Sequence, residues 1–410
     1  MGSNRNKMNR VKILIMKKVN WMSISPIFAD VIISPWNLLV GGLLIKYLST
    51  FEALTSIIIG YFILTLIFYY YGGIGFQKKM QSADIFSKIF GSKISRYLIP
   101  SILALGQIGW ASINIELGGK SFSNILSMPI TFGILLYALA LIIIAALDLT
   151  KMGIAKFIIT ASSLLLLIYV FVTKMLSVPI AHFISYQPVD HRSFLWGISI
   201  IVASLISFAT VAPDFFMNVK SKNDVFMSSF LGIFIPGIIT AFLGCFLFFN
   251  TGNFNLIALI GSLTFPIFPH ILNALTNTDG STAIYTPGLK IKKMFNLNLT
   301  AGIIIAGLIS SNLSSLQMSN HLETWLQLLS LMFSSLIGIS ILKVLFLVRE
   351  TSEEFNKYAL NIFVASVLIS LVMTKFFPPV LISLFIPTLL YKGFEYIRSF
   401  THLNVVGKKK

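Results

Sequence analysis

The sequence predicts an all-α polytopic membrane protein with about twelve transmembrane helices, and three observations carry that prediction. Of its 410 residues, 56% are hydrophobic and only 11% charged, with a mean hydropathy of +0.86, whereas a soluble chain carries about a quarter charged residues. Apolar runs of roughly 20 residues, the length that crosses a hydrocarbon core, recur along the whole chain. The basic residues fall in alternate connections between those runs. The composition excludes a soluble multidomain enzyme and a disordered chain, and the single cysteine, Cys245, excludes an intramolecular disulfide.

Read between charged residues and Pro/Gly breaks, the runs are 24–46, 52–73, 97–124, 129–147, 155–176, 194–217, 225–249, 269–288, 298–314, 322–346, 357–376 and 378–396. Pro378-Pro379 is the only hinge between the last two. The first run is too long for a signal peptide and lacks a small-residue cleavage site, so it reads as the first span. With the N-terminus cytoplasmic, 26 of the 31 Lys and Arg fall on inside segments, Lys156 and Lys290 among them. Only Lys46, Lys120, Lys174, Arg192 and Lys375 remain outside. This is the positive-inside asymmetry, and it predicts cytoplasmic termini in a cell membrane. It also accounts for the net charge of +17 without a nucleic-acid partner, because the cations form no single stripe. Residues 79–92 predict an amphipathic segment along the inner interface, and 254–266 a short outer helix that caps a cavity.

Function is sought where polarity or backbone offends the bilayer. In the first span, Pro35 lies between Ser34 and Asn37, with Gly41-Gly42 beyond. A break there would free carbonyls for a cation, unless it is an ordinary proline kink. In the third span, Gln107, Trp110 and Asn114 share a face within about 60°. That face offers an amide, an indole and an amide to a planar polar ligand, or to a neighbouring helix. Glu116 lies off it and pairs with Lys120 at i,i+4. In the sixth span, Ser204 and Ser207 share a face, followed by Phe208, Thr210 and Pro213-Asp214. Pro213 breaks the helix, and Asp214 caps the next segment or pairs with Lys220. The eighth span is the most polar: Asn273, Thr276, Asn277, Thr278, Asp279, Ser281 and Thr282 fall within ten residues. Broken spans one and six, and polar spans three and eight, each stand five apart. That is the spacing of two inverted five-helix repeats with a site between them.

The third-span QIGW, the sixth-span SFATVAPDF running into NVKSKNDV, and the eighth-span TNTDGSTAIYTPGL together resemble the nucleobase–cation symporter family of cytosine, purine, allantoin and hydantoin permeases. The resemblance runs from the first span to about the ninth. It implies a LeuT-like fold: repeats over 24–176 and 194–346, two additional helices over 357–396, and tails over 1–23 and 397–410. It also implies a heterocycle held between Trp110 and a sixth-span aromatic. That aromatic falls nearest Leu205, a departure that leaves Phe208 as the alternative. The resemblance implies polar contacts from Asn114 and from Ser281, with Asn277 and Asp279 close by, and the helix faces add Gln107 and Ser207 as substrate-binding candidates. A sodium site is implied at the carbonyls of Ile33 and Trp36 and the hydroxyl of Thr276. Its second hydroxyl falls at Leu275, and Asp279 offers a proton-coupled alternative.

The reading is therefore a secondary active transporter, not an enzyme, that imports a nucleobase-like heterocycle with sodium or a proton. The tenth span and 254–266 would close its outside. One rival is an amino-acid or polyamine permease of the same fold, which would need a glycine-rich first break where Ser-Pro-Trp-Asn stands. Another is a membrane receptor subunit that transports nothing. An integral membrane enzyme is disfavoured, since the five histidines show no metal-ligand spacing.

Overall fold

The computed structural model describes residues 18–175, 180–252, 267–345, 356–373, 380 and 382–393. The predicted outer helix 254–266, the Pro378-Pro379 hinge and the C-terminal tail lie outside them. Each predicted span falls on helix. The first is α1 (Trp21–Ile32) and α2 (Pro35–Tyr47), bent by 51° at their junction. Pro35 lacks an N–H and disfavours helix at the residue before it. Ser34 is accordingly extended, at φ −122° and ψ 159°, and α2 begins at the proline. Asn37 donates to the Ile32 carbonyl left over at the end of α1 (2.6 Å) and accepts from Tyr61 (2.9 Å).

There follow α3 (Thr50–Lys78), α4 (Ser82–Phe90), α5 (Ser92–Leu126), α6 (Ile130–Ala145), α7 (Leu149–Met175) and the short α8 (Ile180–Ile184). The sixth span is α9 (Phe194–Ala209) and α10 (Ala212–Phe216), interrupted at Thr210-Val211 ahead of Pro213. Next come α11 (Lys222–Thr251), α12 (Phe268–Thr276) and α13 (Gly280–Phe295), then α14 (Leu299–Ser314), α15 (Leu322–Leu345), α16 (Lys357–Met373) and α17 (Ile382–Gly393). Between α12 and α13 the helix is interrupted at 277–279, so the polar eighth span is also broken.

Four of these helices, α3, α5, α7 and α11, are individually long and apolar enough to cross a bilayer. The surface is apolar and the interior carries charge. Phe132 and Leu165 are 61% and 68% exposed, while Lys156 and Lys290 are 0% exposed. A water-soluble protein inverts that distribution, so the outer face suits lipid and the chain is a multi-pass membrane protein. Close contacts need small residues. A Cβ on Gly41 of α2 would meet the Ala241 carbonyl of α11, and Cys245 Sγ donates to the Gly41 carbonyl at 3.1 Å.

One end of the bundle is tied by polar contacts. Val19 and Val219 form a bridge, and the Trp21 N–H donates to Asp224 (2.9 Å). Asp214 does not pair with Lys220. Its Oδ2 lies 2.5 Å from the Lys290 ammonium, and its Oδ1 accepts from the Ser82 N–H and hydroxyl (2.9 and 3.0 Å). Lys156 and Lys290, read as loop cations from the sequence, are thus interior charges. The 79–92 segment is also more embedded than the sequence suggests. In α4, Ala83, Ile85, Phe86, Ile89 and Phe90 are all buried, and Phe90 packs edge-on to Phe363 of α16.

Removing one partner of a buried pair costs about 3–5 kcal/mol, whereas replacing both by uncharged groups costs far less. Lys290→Ala should therefore lower the unfolding temperature in detergent markedly, and Asp214→Asn with Lys290→Met should recover most of the loss. Equal melting of the single variant and the parent would show that the pair is not structural.

Candidate substrate cavity

The breaks in α1–α2 and α12–α13 and the middle of α5 and α9 surround one cavity with about 450 Å3 of empty volume, shared between the void and its mouth. Its wall includes Ser34, Trp36, Gln107, Trp110, Phe208 and Asp279. Trp36 and Trp110 stand with ring centroids 6.0 Å apart at 53°. Both indoles are pinned through nitrogen: Trp110 Nε1 donates to Ser207 Oγ (3.2 Å) and Trp36 Nε1 to Asn114 Oδ1 (3.3 Å). Trp110 stays half-buried, which leaves ring surface for a ligand. Phe208 packs edge-on to Phe28 (5.3 Å) and Phe215 (5.9 Å), part of an aromatic cluster that fixes the far wall.

Asn114 is fully buried and organises the wall from behind. Its carbonyl takes the Trp36 indole, and its amide donates to the Trp110 carbonyl (3.0 Å) and to Asp279 Oδ2 (3.1 Å). Gly280 makes this approach possible, since a Cβ there would lie 2.9 Å from that of Asn114. Asp279 Oδ1 remains buried and unpartnered, as do Gln107 Nε2 and Thr282 Oγ1. All three residues line the cavity. An unmade hydrogen bond on a buried polar atom costs about 1–3 kcal/mol, so these atoms mark where a polar ligand would be held. They present one amide donor, one carboxylate acceptor and one hydroxyl.

Of the residues singled out from sequence, Gln107, Trp110 and Phe208 come together on the wall, with Leu205 beside Phe208. Asn114 and Ser207 stand behind it as supports. Asn277 donates to the Asn273 carbonyl (2.7 Å), and Ser281 Oγ to the Thr278 carbonyl (2.9 Å). Both bonds turn the side chains back into the helix. Of the cation candidates, the Ile33 N–H closes α1 by donating to the Ala29 carbonyl, and Trp36 faces the cavity through its ring. Thr276 Oγ1 donates within its own helix to the Leu272 carbonyl (2.8 Å), and Asp279 serves the cavity.

The sequence reading missed the charge beside these breaks. The Lys156 ammonium, from α7, donates to Asp30 Oδ2 on the last turn of α1 and to the Thr278 carbonyl in the α12–α13 break. Thr278 Oγ1 donates to Asp30 Oδ1 at 2.9 Å. A signal was present, because an acid inside the first span demands a partner. Counting Lys156 as a loop cation hid it.

Interrupted helices around a central cavity make this an all-helical polytopic membrane protein, and its fold resembles that of LeuT-like proteins. Among solved structures, Mhp1, described as a nucleobase-cation-symport-1 family transporter in a closed conformation with bromovinylhydantoin bound, superimposes with a TM-score of 0.81 at 16% identity, covering 94% of each chain. A substrate-bound, outward-open Na+-coupled sialic acid symporter gives 0.68 at 15% identity, over 91% of this chain and 88% of that one. A point mutant of the manganese transporter of Eremococcus coleocola gives 0.58 at 14% identity, over 94% and 95%. No family profile and no curated protein sequence matches the chain. The resemblance read from the motifs is thus met at the level of the fold, and neighbours this diverse leave the substrate to the site.

Asn114→Ala frees both Trp36 and Asp279 and should weaken ligand binding about tenfold, the loss of roughly one charge-assisted hydrogen bond. Ser281→Ala, which cuts only a local bond, should stay within about twofold. Isothermal titration of both variants separates them, and the opposite ranking would place the ligand on Ser281.

Proposed function

We propose that the protein is a cation-coupled symporter that imports a planar, nucleobase-like heterocycle by alternating access. The observation that carries this reading is the pairing of a pinned, half-buried Trp110 ring with unpartnered Gln107 Nε2 and Asp279 Oδ1 on one cavity wall. A flat ring can lie against the indole, while its edge gives a carbonyl to Gln107 and an N–H to Asp279. Adjacent carbonyl and N–H groups are the edge chemistry of pyrimidines, purines and hydantoins alike. The hydantoin bound by Mhp1 supports a ligand of that shape.

An amino-acid substrate fits less well, because its carboxylate would face Asp279 and Ser34-Pro35 stands where a run of free backbone N–H groups would be needed. No chemistry is asked of the cavity. Its residues stack, orient and exclude water, and the breaks let helices on either side tilt past the site. The repeats are proposed as 24–176 and 194–346 with 357–396 added, in a cell membrane with both tails cytoplasmic.

Stacking on an aromatic side chain is worth about 1–3 kcal/mol per base. Trp110→Ala should therefore raise the dissociation constant of the true substrate at least about tenfold. A thermal-shift screen of the purified protein against pyrimidines, purines, hydantoins, amino acids and polyamines finds that substrate, and proteoliposome uptake follows it. Binding that survives Trp110→Ala would remove the site. Binding without uptake would favour the receptor reading.

A further inference from the structure

Between the interrupted first and eighth spans the structure places a side chain, and its partners there are Asp30 and Thr278 rather than the Ile33, Trp36 and Thr276 expected to hold sodium. Lys156 is 0% exposed, and its ammonium donates to Asp30 Oδ2 and to the carbonyl of Thr278. The surrounding oxygens are turned to suit it. Thr278 Oγ1 donates to Asp30 Oδ1 (2.9 Å), and Thr276 Oγ1 donates to the Leu272 and Asn273 carbonyls (2.8 and 3.3 Å). The Ser281 N–H and hydroxyl both donate to the Thr278 carbonyl (each 2.9 Å). Leu275 supplies no oxygen from its side chain. A metal ion here would have to displace an ammonium already neutralised by its own carboxylate, or sit beside it as a like charge.

We infer that Lys156 is a resident cation, which holds the two helix breaks together in place of a coupling sodium ion, and that this chain binds its substrate without sodium. The inference rests on the transporter reading only for the word coupling, because the pair and its partners are features of the fold. A fixed ammonium does for the α1 terminus and the Thr278 carbonyl what a bound ion would do. It supplies positive charge to the buried Asp30 carboxylate and to the Thr278 carbonyl, which also accepts from the Ser281 N–H. Unlike an ion, it cannot leave, so the latch between α7, α1 and the α12–α13 break does not depend on the sodium concentration.

The test is sodium-dependent thermal stability of the purified full chain in detergent, with sodium chloride titrated against choline chloride at constant ionic strength and no substrate present. The unmodified protein should melt at the same temperature in both salts. Lys156→Ala leaves Asp30 unpaired, with the Thr278 carbonyl and hydroxyl around the space, and should gain a saturable stabilisation specific to sodium, on the order of a few degrees. A sodium-specific rise in the unmodified protein overturns the inference, as does a folded Lys156→Ala that ignores sodium. If Lys156→Ala fails to fold, Asp30→Asn with Lys156→Met replaces the pair by neutral groups. That variant should fold and melt alike in both salts, and a sodium response in it would also overturn the inference. Because no heterocycle enters the assay, its result is separate from that of the substrate screen.

Discussion

A chain in a bilayer must satisfy every backbone carbonyl and every charge from within itself, because the lipid offers no partner. An interruption in a helix perturbs its carbonyl pairing and buries polar groups, and this protein interrupts three of its spans. The Lys156 ammonium joins two of them. It neutralises Asp30 on the last turn of α1 and takes the Thr278 carbonyl between α12 and α13. Without it the protein would bury the Asp30 carboxylate with no counter-charge. Asn37 completes the junction on the other side by capping the Ile32 carbonyl.

From that fixed junction the cavity follows. The α12–α13 break sets the position of Asp279, and Asn114 holds one of its oxygens while carrying the Trp36 indole and the Trp110 carbonyl. One buried amide therefore ties three walls of the site. The far wall is set by aromatic packing, with Phe208 wedged among Phe28, Phe68 and Phe215. A second interior pair, Asp214 and Lys290, anchors α10, α13 and the start of α4. Two buried ion pairs are costly in isolation. Here each joins segments that hydrophobic contact alone would let slide, as in any bundle packed in a solvent as apolar as its core.

The order of the apolar helices was readable from hydropathy, and the first and sixth breaks from Pro35 and Pro213, because a missing N–H acts locally. Trp110 and Gln107 were readable as neighbours because helical periodicity alone puts them on one face. The same periodicity added Asn114 to that face as a ligand contact. It could not show that Asn114 is taken up by Trp36, 78 residues away, and by Asp279, 165 residues away. Nor could it separate a loop lysine from a core lysine. Lys156 sits one residue inside the predicted start of its span, and only its partner 126 residues away decides which it is.

By itself the sequence determined that this is a polytopic helical membrane protein with interrupted first and sixth spans, a polar eighth span and an aromatic face on its third. Those features follow from composition, residue spacing and backbone chemistry, each of which acts over at most a few helical turns. Only the tertiary structure decided which polar groups face the cavity and which are taken up behind it, and that a lysine fills the junction expected to hold a metal ion. The physical reason is that a buried polar atom takes its role from the partner that satisfies it, and in this bundle those partners come from other helices.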